Sequence, residues 1–274
     1  MRRCLPWAMV IPFAGMAAVC YDPVMNLSQE LVMKRSGPIL VAALWLAAGG
    51  CSGEQEILQR TFDFSLGTQG FFAGFADYPQ QGEESMAFDS GFRLLPPEAG
   101  SGGAFAIGGT NRSDDLFMYI TGPVDGLITG HSYRLSMELE LASAAPSGCM
   151  GVGGAPGESV YLKIGAAGHR PLAEPAADGW YRMNIDKGNQ ARSGRHMVVA
   201  GDVANGIACE DVRAGEFAMI RRHAVLPVPV TAGKGGRLWL IAGSDSGFES
   251  RTLLYYRHMT VWLTPVRDGG STPP

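Results

Sequence analysis

The apolar run before Cys51 is too short to cross a bilayer as a helix. About twenty residues are needed, and the run from Ile39 to Ala48 falls well short. It has no basic stripe: 22 Lys and Arg stand against 26 Asp and Glu, for a net charge of −4. That excludes the usual electrostatic footprint of a nucleic-acid binder. No stretch carries a capped apolar stripe of 3.6-residue period, so a helical fold is not expected. There is no low-complexity segment and no repeat of fixed period. Familiar catalytic signatures are missing too. "GVGGAPGES" (Gly151 to Ser159) lacks the G-K-[ST] of a phosphate loop, and a strand follows it rather than a helix. "GSDSG" (Gly243 to Gly247) has Asp245 where a hydrolase elbow needs serine. His131, His169, His196, His223 and His258 show no helical metal spacing.

What is present begins with an export pattern. Lys34 and Arg35 precede the short apolar run, and Ala47, Ala48, Gly49 and Gly50 lead to Cys51. A charged stretch, a short apolar stretch and small residues before a break make a secretory signal. The segment resembles the lipobox of bacterial lipoproteins, with Ala48 where that family usually carries Leu. The resemblance implies a signal peptide over 33–50, cleavage before Cys51, acylation of Cys51 and a lipid anchor in the membrane. Two or more acyl chains give lasting attachment. Ser52 after the cysteine, rather than Asp, points to the outer membrane of the bacterial cell envelope. Residues 51–60 would be the lipidated tether. Residues 1–32 look like a second signal and are read as an upstream extension before a start at Met33; the alternative is a membrane-inserted N-terminus.

Residues 61–266 read as one β domain, with 267–274 a disordered tail. Gly is frequent, at 38 residues, and 17 Pro add to the turn signals. In "SYRLSMELELAS", Leu135, Met137, Leu139 and Leu141 alternate with Ser136, Glu138 and Glu140, which predicts a half-buried antiparallel strand. "DDLFMYI" is apolar on both faces and predicts a central strand. "RTFDFSL", "SVYLKIGA", "GWYRMNI", "EFAMIRRHAVLPV", "GRLWLIAG" and "TLLYYRHMTVWLTP" add further strands. The expected fold is all-β, a jelly-roll-like antiparallel β-sandwich.

The Phe-rich opening "TFDFS", the middle "GHSYRLSMELEL" and the closing "TLLYYRHMTVWLTP" resemble the jelly-roll sandwiches of carbohydrate-binding modules. That resemblance implies that the first and last strands pair. "APSGCMGVGGAPGESVYLKIGA", "WYRMNIDKGNQ", "GDVANG" and "GSDSGFESRTLLYY" resemble a family of uncharacterised bacterial secreted proteins and lipoproteins, which brings no activity with it.

Beyond Cys51, only Cys149 and Cys209 remain in the exported part. In an oxidising compartment a disulfide between them is the default expectation.

Two sets of residues suggest ligands. The loops "NRSDD", "NIDKGN", "GDVANG" and "GSDSG" carry oxygen donors of the kind calcium takes. Jelly-roll modules often hold such an ion, so a structural calcium is expected with Asp114, Asp115, Asp186 and Asp245 as donors. The alternative is that these Asp, Asn and Gly residues simply make turns. Tyr78, Trp180 and Tyr181 could stack a sugar ring; extended backbone at "DGWY" would expose only one of Trp180 and Tyr181. Glu138 and Glu140 share a strand face that is read as solvated rather than catalytic. Together these features suggest a non-catalytic binding module of the cell envelope, with a glycan as partner. An envelope glycan hydrolase or lyase, and a structural or assembly lipoprotein with a protein partner, are the alternatives.

Overall fold

The computed structural model describes residues 56–267 apart from 212 and 214. The signal segment, the upstream extension, residues 51–55 of the tether including Cys51, and all but Arg267 of the tail lie outside the described residues. In chain order the strands are β1 (Leu58–Asp63), β2 (Phe72–Ala76), β3 (Tyr78–Pro79), β4 (Asp89–Leu94), β5 (Gly103–Thr110), β6 (Leu116–Val124), β7 (Ser132–Ser143), β8 (Val160–Ala167), β9 (Ala173–Pro175), β10 (Trp180–Met183), β11 (Gly188–Asn189), β12 (Arg192–Ser193), β13 (Met197–Asp202), β14 (Ala218–Val225), β15 (Val230–Thr231), β16 (Leu238–Ser246) and β17 (Arg251–Pro265). The first strand starts at Leu58, inside the stretch expected to be tether.

Two antiparallel sheets form the sandwich. One runs β14-β7-β17-β5-β4, with β1 beside β17 and β15 beside β7; the other runs β13-β8-β16-β6-β2. The chain crosses between them at β1 to β2, at β5 to β6, β6 to β7 and β7 to β8, and again at β13 to β14, β15 to β16 and β16 to β17. β1 and β17, the first and last strands, pair from Leu58↔Leu263 to Asp63↔His258. The all-β, jelly-roll-like expectation holds.

Alternation decides which side chains go inside. Leu135, Met137, Leu139 and Leu141 of β7 share one buried core with Leu116, Met118 and Ile120 of β6, Leu162 and Ile164 of β8, and Leu240 of β16. Burying such side chains stabilises by roughly 1.5–3 kcal/mol each before entropy is counted.

The five-stranded sheet has its outer face covered as well. Segment 168–196, carrying β9 to β12, folds back over it. Phe117, Tyr119 and Ile241 from that face pack with Ile185 and Met197 into a second apolar cluster. Close approach needs bare backbone: a Cβ on Gly165 would lie 1.8 Å from the carbonyl oxygen of His196. Lids of this kind turn a sheet face that would otherwise be wet into an interior.

Cys149 and Cys209 are joined, with Cα atoms 5.1 Å apart. The bond ties the loop after β7 to the segment before β14, next to the Ser147↔Ala208 bridge.

Candidate ligand-binding site

Under the edge of that covering segment lies a cluster of charged side chains. Alternation puts Lys163 of β8 and Asp245 of β16 on the outer face of the five-stranded sheet, and the cover buries both completely. Lys163 Nζ donates to Asp245 Oδ2 at 2.7 Å and to the carbonyls of Lys187 and Arg192 at 3.0 Å. Its ammonium thereby holds the β11–β12 hairpin to the sheet. Lys187 Nζ lies 2.8 Å from Asp245 Oδ2 and 2.8 Å from Asp77 Oδ2, and 5.0 Å from the centre of the Phe117 ring. The Asp77 contact is an ion pair without hydrogen-bond alignment. Arg182 Nη1 reaches Asp77 Oδ1 at 3.0 Å, and the same guanidinium pairs with Asp178. The backbone N–H of Gln190 adds a bond to Asp245 Oδ2 at 2.9 Å.

Asp115, just before β6, joins the cluster from the β5–β6 loop. Asn189 Nδ2 donates to its Oδ2 at 3.2 Å. One carboxylate oxygen each from Asp77, Asp115 and Asp245 lie within 4.8 Å of one another. Asp115 Oδ1 and Asp245 Oδ1 are buried without a hydrogen-bond partner. Burial pushes the Asp115 carboxyl up, Lys187 pulls it down, and the negative Asp245 and Asp77 push it up again, to about 7. Burial also works against both ammonium groups. It wins at Lys163, whose pKa falls despite Asp245. At Lys187 the attraction of Asp245 and Asp77 outweighs it and the pKa rises.

A shallow pocket of about 200 Å³ opens above the cluster, lined by Asp77, Asp115, Arg182, Asp186, Lys187 and Asn189 among others. Acceptors and donors therefore alternate around one small space, fixed by ion pairs in its floor.

The residues anticipated from sequence converge here to different degrees. Asp115 and Asp245 meet, with Asp77 as the third carboxylate, a residue the sequence reading passed over. Asp114, at φ 61°, offers its backbone carbonyl to Gln190 Nε2 rather than its carboxylate. Asp186 lines the pocket, but its two oxygens accept from the backbone N–H groups of Gly188 and Arg195, which hold its pKa low. Calcium would need six to eight oxygens. Asp245 and Asp77 already pair with two ammonium groups and a guanidinium, which would compete with a calcium ion, while Asp115 is held by Asn189. The cations on those carboxylates are the protein's own.

Tyr78, Trp180 and Tyr181 do come together, in the small sheet β3-β10-β9, through Trp180↔Pro79 and Tyr181↔Tyr78. Tyr78 is buried against Tyr181, ring centres 5.0 Å apart, so the tyrosines are packing residues. Burial raises the Tyr78 phenol to about 12. Trp180 faces the other way, with the Arg182 guanidinium 4.6 Å from its ring centre. It stands beside the pocket rather than in it.

No family model matches the chain, and no curated protein matches it in sequence. Several solved structures share its general shape. One is a carbohydrate-binding module from the β-sandwich superfamily studied for promiscuous specificity, at 10% identity and a TM-score of 0.34 over 75% of this chain. This chain spans 61% of the length of that structure. Another is a carbohydrate-binding module studied for specific mannan recognition, at 12% identity and a TM-score of 0.34 over 76% of this chain and 98% of that one. A third is the K3 cleaved adhesin domain of Lys-gingipain from Porphyromonas gingivalis, at 10% identity and a TM-score of 0.36 over 76% of this chain and 99% of that one. Likenesses this remote carry no argument about ligand or activity.

Proposed function

We propose that this protein is a non-catalytic binding module of the bacterial cell envelope, anchored through lipid on Cys51, and that its pocket takes a sugar residue of a glycan. The observation that carries the reading is the pocket lining. Asp115 offers acceptor oxygens, while Arg182 and Asn189 keep further N–H donors, around about 200 Å³. A sugar hydroxyl both donates and accepts, so a polyhydroxylated ring can satisfy both kinds of group at once. Ion pairs beneath the pocket hold these groups in place before a ligand arrives, which lowers the ordering cost of binding.

One observation favours a second reading, a glycan hydrolase or lyase. Asp115 lines a cleft and titrates near neutrality, as a general acid does. Against it, a partner carboxylate is needed. Asp77 and Asp245 are tied up in ion pairs, and Asp186 in two backbone hydrogen bonds.

A glycan-array screen of the soluble protein, followed by Arg182→Ala, tests the proposal. Binding to a defined neutral glycan, weakened about tenfold or more by the substitution, upholds it. A blank array from folded protein sinks it and favours a protein partner. Release of reducing sugar during the assay would favour the enzyme.

A further inference from the structure

At the far end of the same sheet face, away from the charged pocket, β16 carries Trp239 and β2 carries Phe72, which is half exposed. Arg170 leaves the end of β8 and lays its guanidinium across both rings, 4.8 Å from the centre of Phe72 and 5.5 Å from that of Trp239. The backbone beneath it is pinned: Asn184 Nδ2 donates to the Arg170 carbonyl at 3.2 Å, and Asn184 Oδ1 accepts from the N–H of Leu172 at 2.9 Å. Among the described residues the other two arginines that stack on aromatic rings are already paired: Arg182 with Asp77 and Asp178, and Arg237, which lies 5.8 Å from the centre of the same Trp239 ring, with Asp125. Among the described residues no carboxylate pairs with Arg170. Its side chain is thus oriented by two rings while the donor edges of its fork remain unused.

A planar fork with free N–H groups matches a carboxylate or sulfate in bidentate fashion. The exposed part of Phe72 offers an apolar surface to the face of a ring. We infer that Arg170, Phe72 and Trp239 form a second binding site, for an acidic saccharide whose anionic group pairs with Arg170 and whose ring lies against the aromatic platform. The inference builds on the glycan-binding reading but uses a surface separate from the charged pocket. An anionic lipid headgroup offers the same charge, so the test separates the two sources.

The experiment is calorimetric titration of the purified protein with an oligogalacturonate, with the corresponding neutral oligogalactose, and with phosphatidylglycerol vesicles. Binding of oligogalacturonate, falling about tenfold or more in Arg170→Ala and by less in Arg170→Lys, is the expected result. It should weaken as salt is raised. Phe72→Ser, also on the surface, should weaken it independently. Equal binding of the neutral sugar, unchanged affinity in Arg170→Ala, binding of the vesicles alone, or no binding at all overturns the inference. Arg182→Ala keeps the two proposals apart: a defect confined to that variant belongs to the pocket, and one confined to Arg170→Ala belongs to this platform.

Discussion

Lys163 and Asp245 sit on neighbouring strands with Nζ and Oδ2 2.7 Å apart, and neither side chain has any exposure to solvent. Taking one partner away leaves the other charged in an interior that cannot solvate it, at a cost of about 3–5 kcal/mol. Asp245→Ala should be the worse loss, because it strands Lys163 and weakens the hold on Lys187 together. The double change Lys163→Met with Asp245→Leu should recover most of the stability, since an apolar pair of similar volume replaces a costly ionic one. Urea unfolding of Asp245→Ala, Lys163→Met and the double variant measures this. Additive losses in the double variant would show that the pair is not coupled.

The Asp115 carboxyl makes stability depend on pH in a direction opposite to the usual carboxylate. Burial and its negative neighbours push its folded pKa to about 7, above the ordinary 3.8 of a carboxyl, so the folded state holds the proton more tightly than the unfolded one. Its contribution is fully present below about pH 4 and is lost as pH rises through about 7. Asp115→Asn keeps a neutral donor toward Asp245 and removes the titration. The variant should match the native protein near pH 4 and exceed it near pH 8. Parallel urea midpoints for both proteins across that range would refute the assignment.

Much of the fold could be read from side-chain period. β7 shows clean alternation, and its outward Glu138 and Glu140 are partly exposed, as anticipated. β5, by contrast, reads "GAFAIGGT" and is buried on both faces except at its last residue, so it carries no alternation to detect. β4 and β13 were also passed over. The site was half legible. Acidic loops and the Trp-Tyr pair lie in the region of the charged cluster, because turn residues cluster where loops converge. The lysines were missed, though one signal was available: Lys163 is the lone charge in the apolar strand "VYLKIGAA". A lone charge there implies a buried partner. That the partner is Asp245 follows only from strand register, Gly243↔Lys163 and Asp245↔Tyr161, which sequence does not disclose.

The disulfide closes a sequence separation of 60 residues between Cys149 and Cys209. In the chain-entropy model such a crosslink contributes about 4 kcal/mol, less any strain. Reduction, or Cys149→Ser with Cys209→Ser, should lower the unfolding midpoint accordingly. Thiol titration of the denatured, unreduced protein should find neither of these cysteines free.

The proposed lipid anchor on Cys51 has its own test. Cys51→Ser removes the sulfur that would be acylated, and with it every acyl chain. The variant should move from the membrane fraction to the soluble fraction while its β-rich circular dichroism stays the same. Continued membrane association would remove the lipid anchor from the proposed function.

Calcium and the two lysines compete for the same carboxylates. A divalent ion beside Asp115 Oδ1 and Asp245 Oδ1 would sit close to the ammonium of Lys187, which is 2.8 Å from Asp245 Oδ2. Repulsion between them in a poorly solvated interior would cost more than the added carboxylate contacts return. Chelator should therefore leave the melting temperature of the native protein unchanged. Lys187→Met clears the competing charge and leaves Asp77 and Asp245 short of a cation. That variant alone should gain stability when millimolar calcium is added. A melting temperature of the native protein that drops in chelator would instead mean that an ion is bound despite the lysines, and would restore the acidic loops as a calcium site.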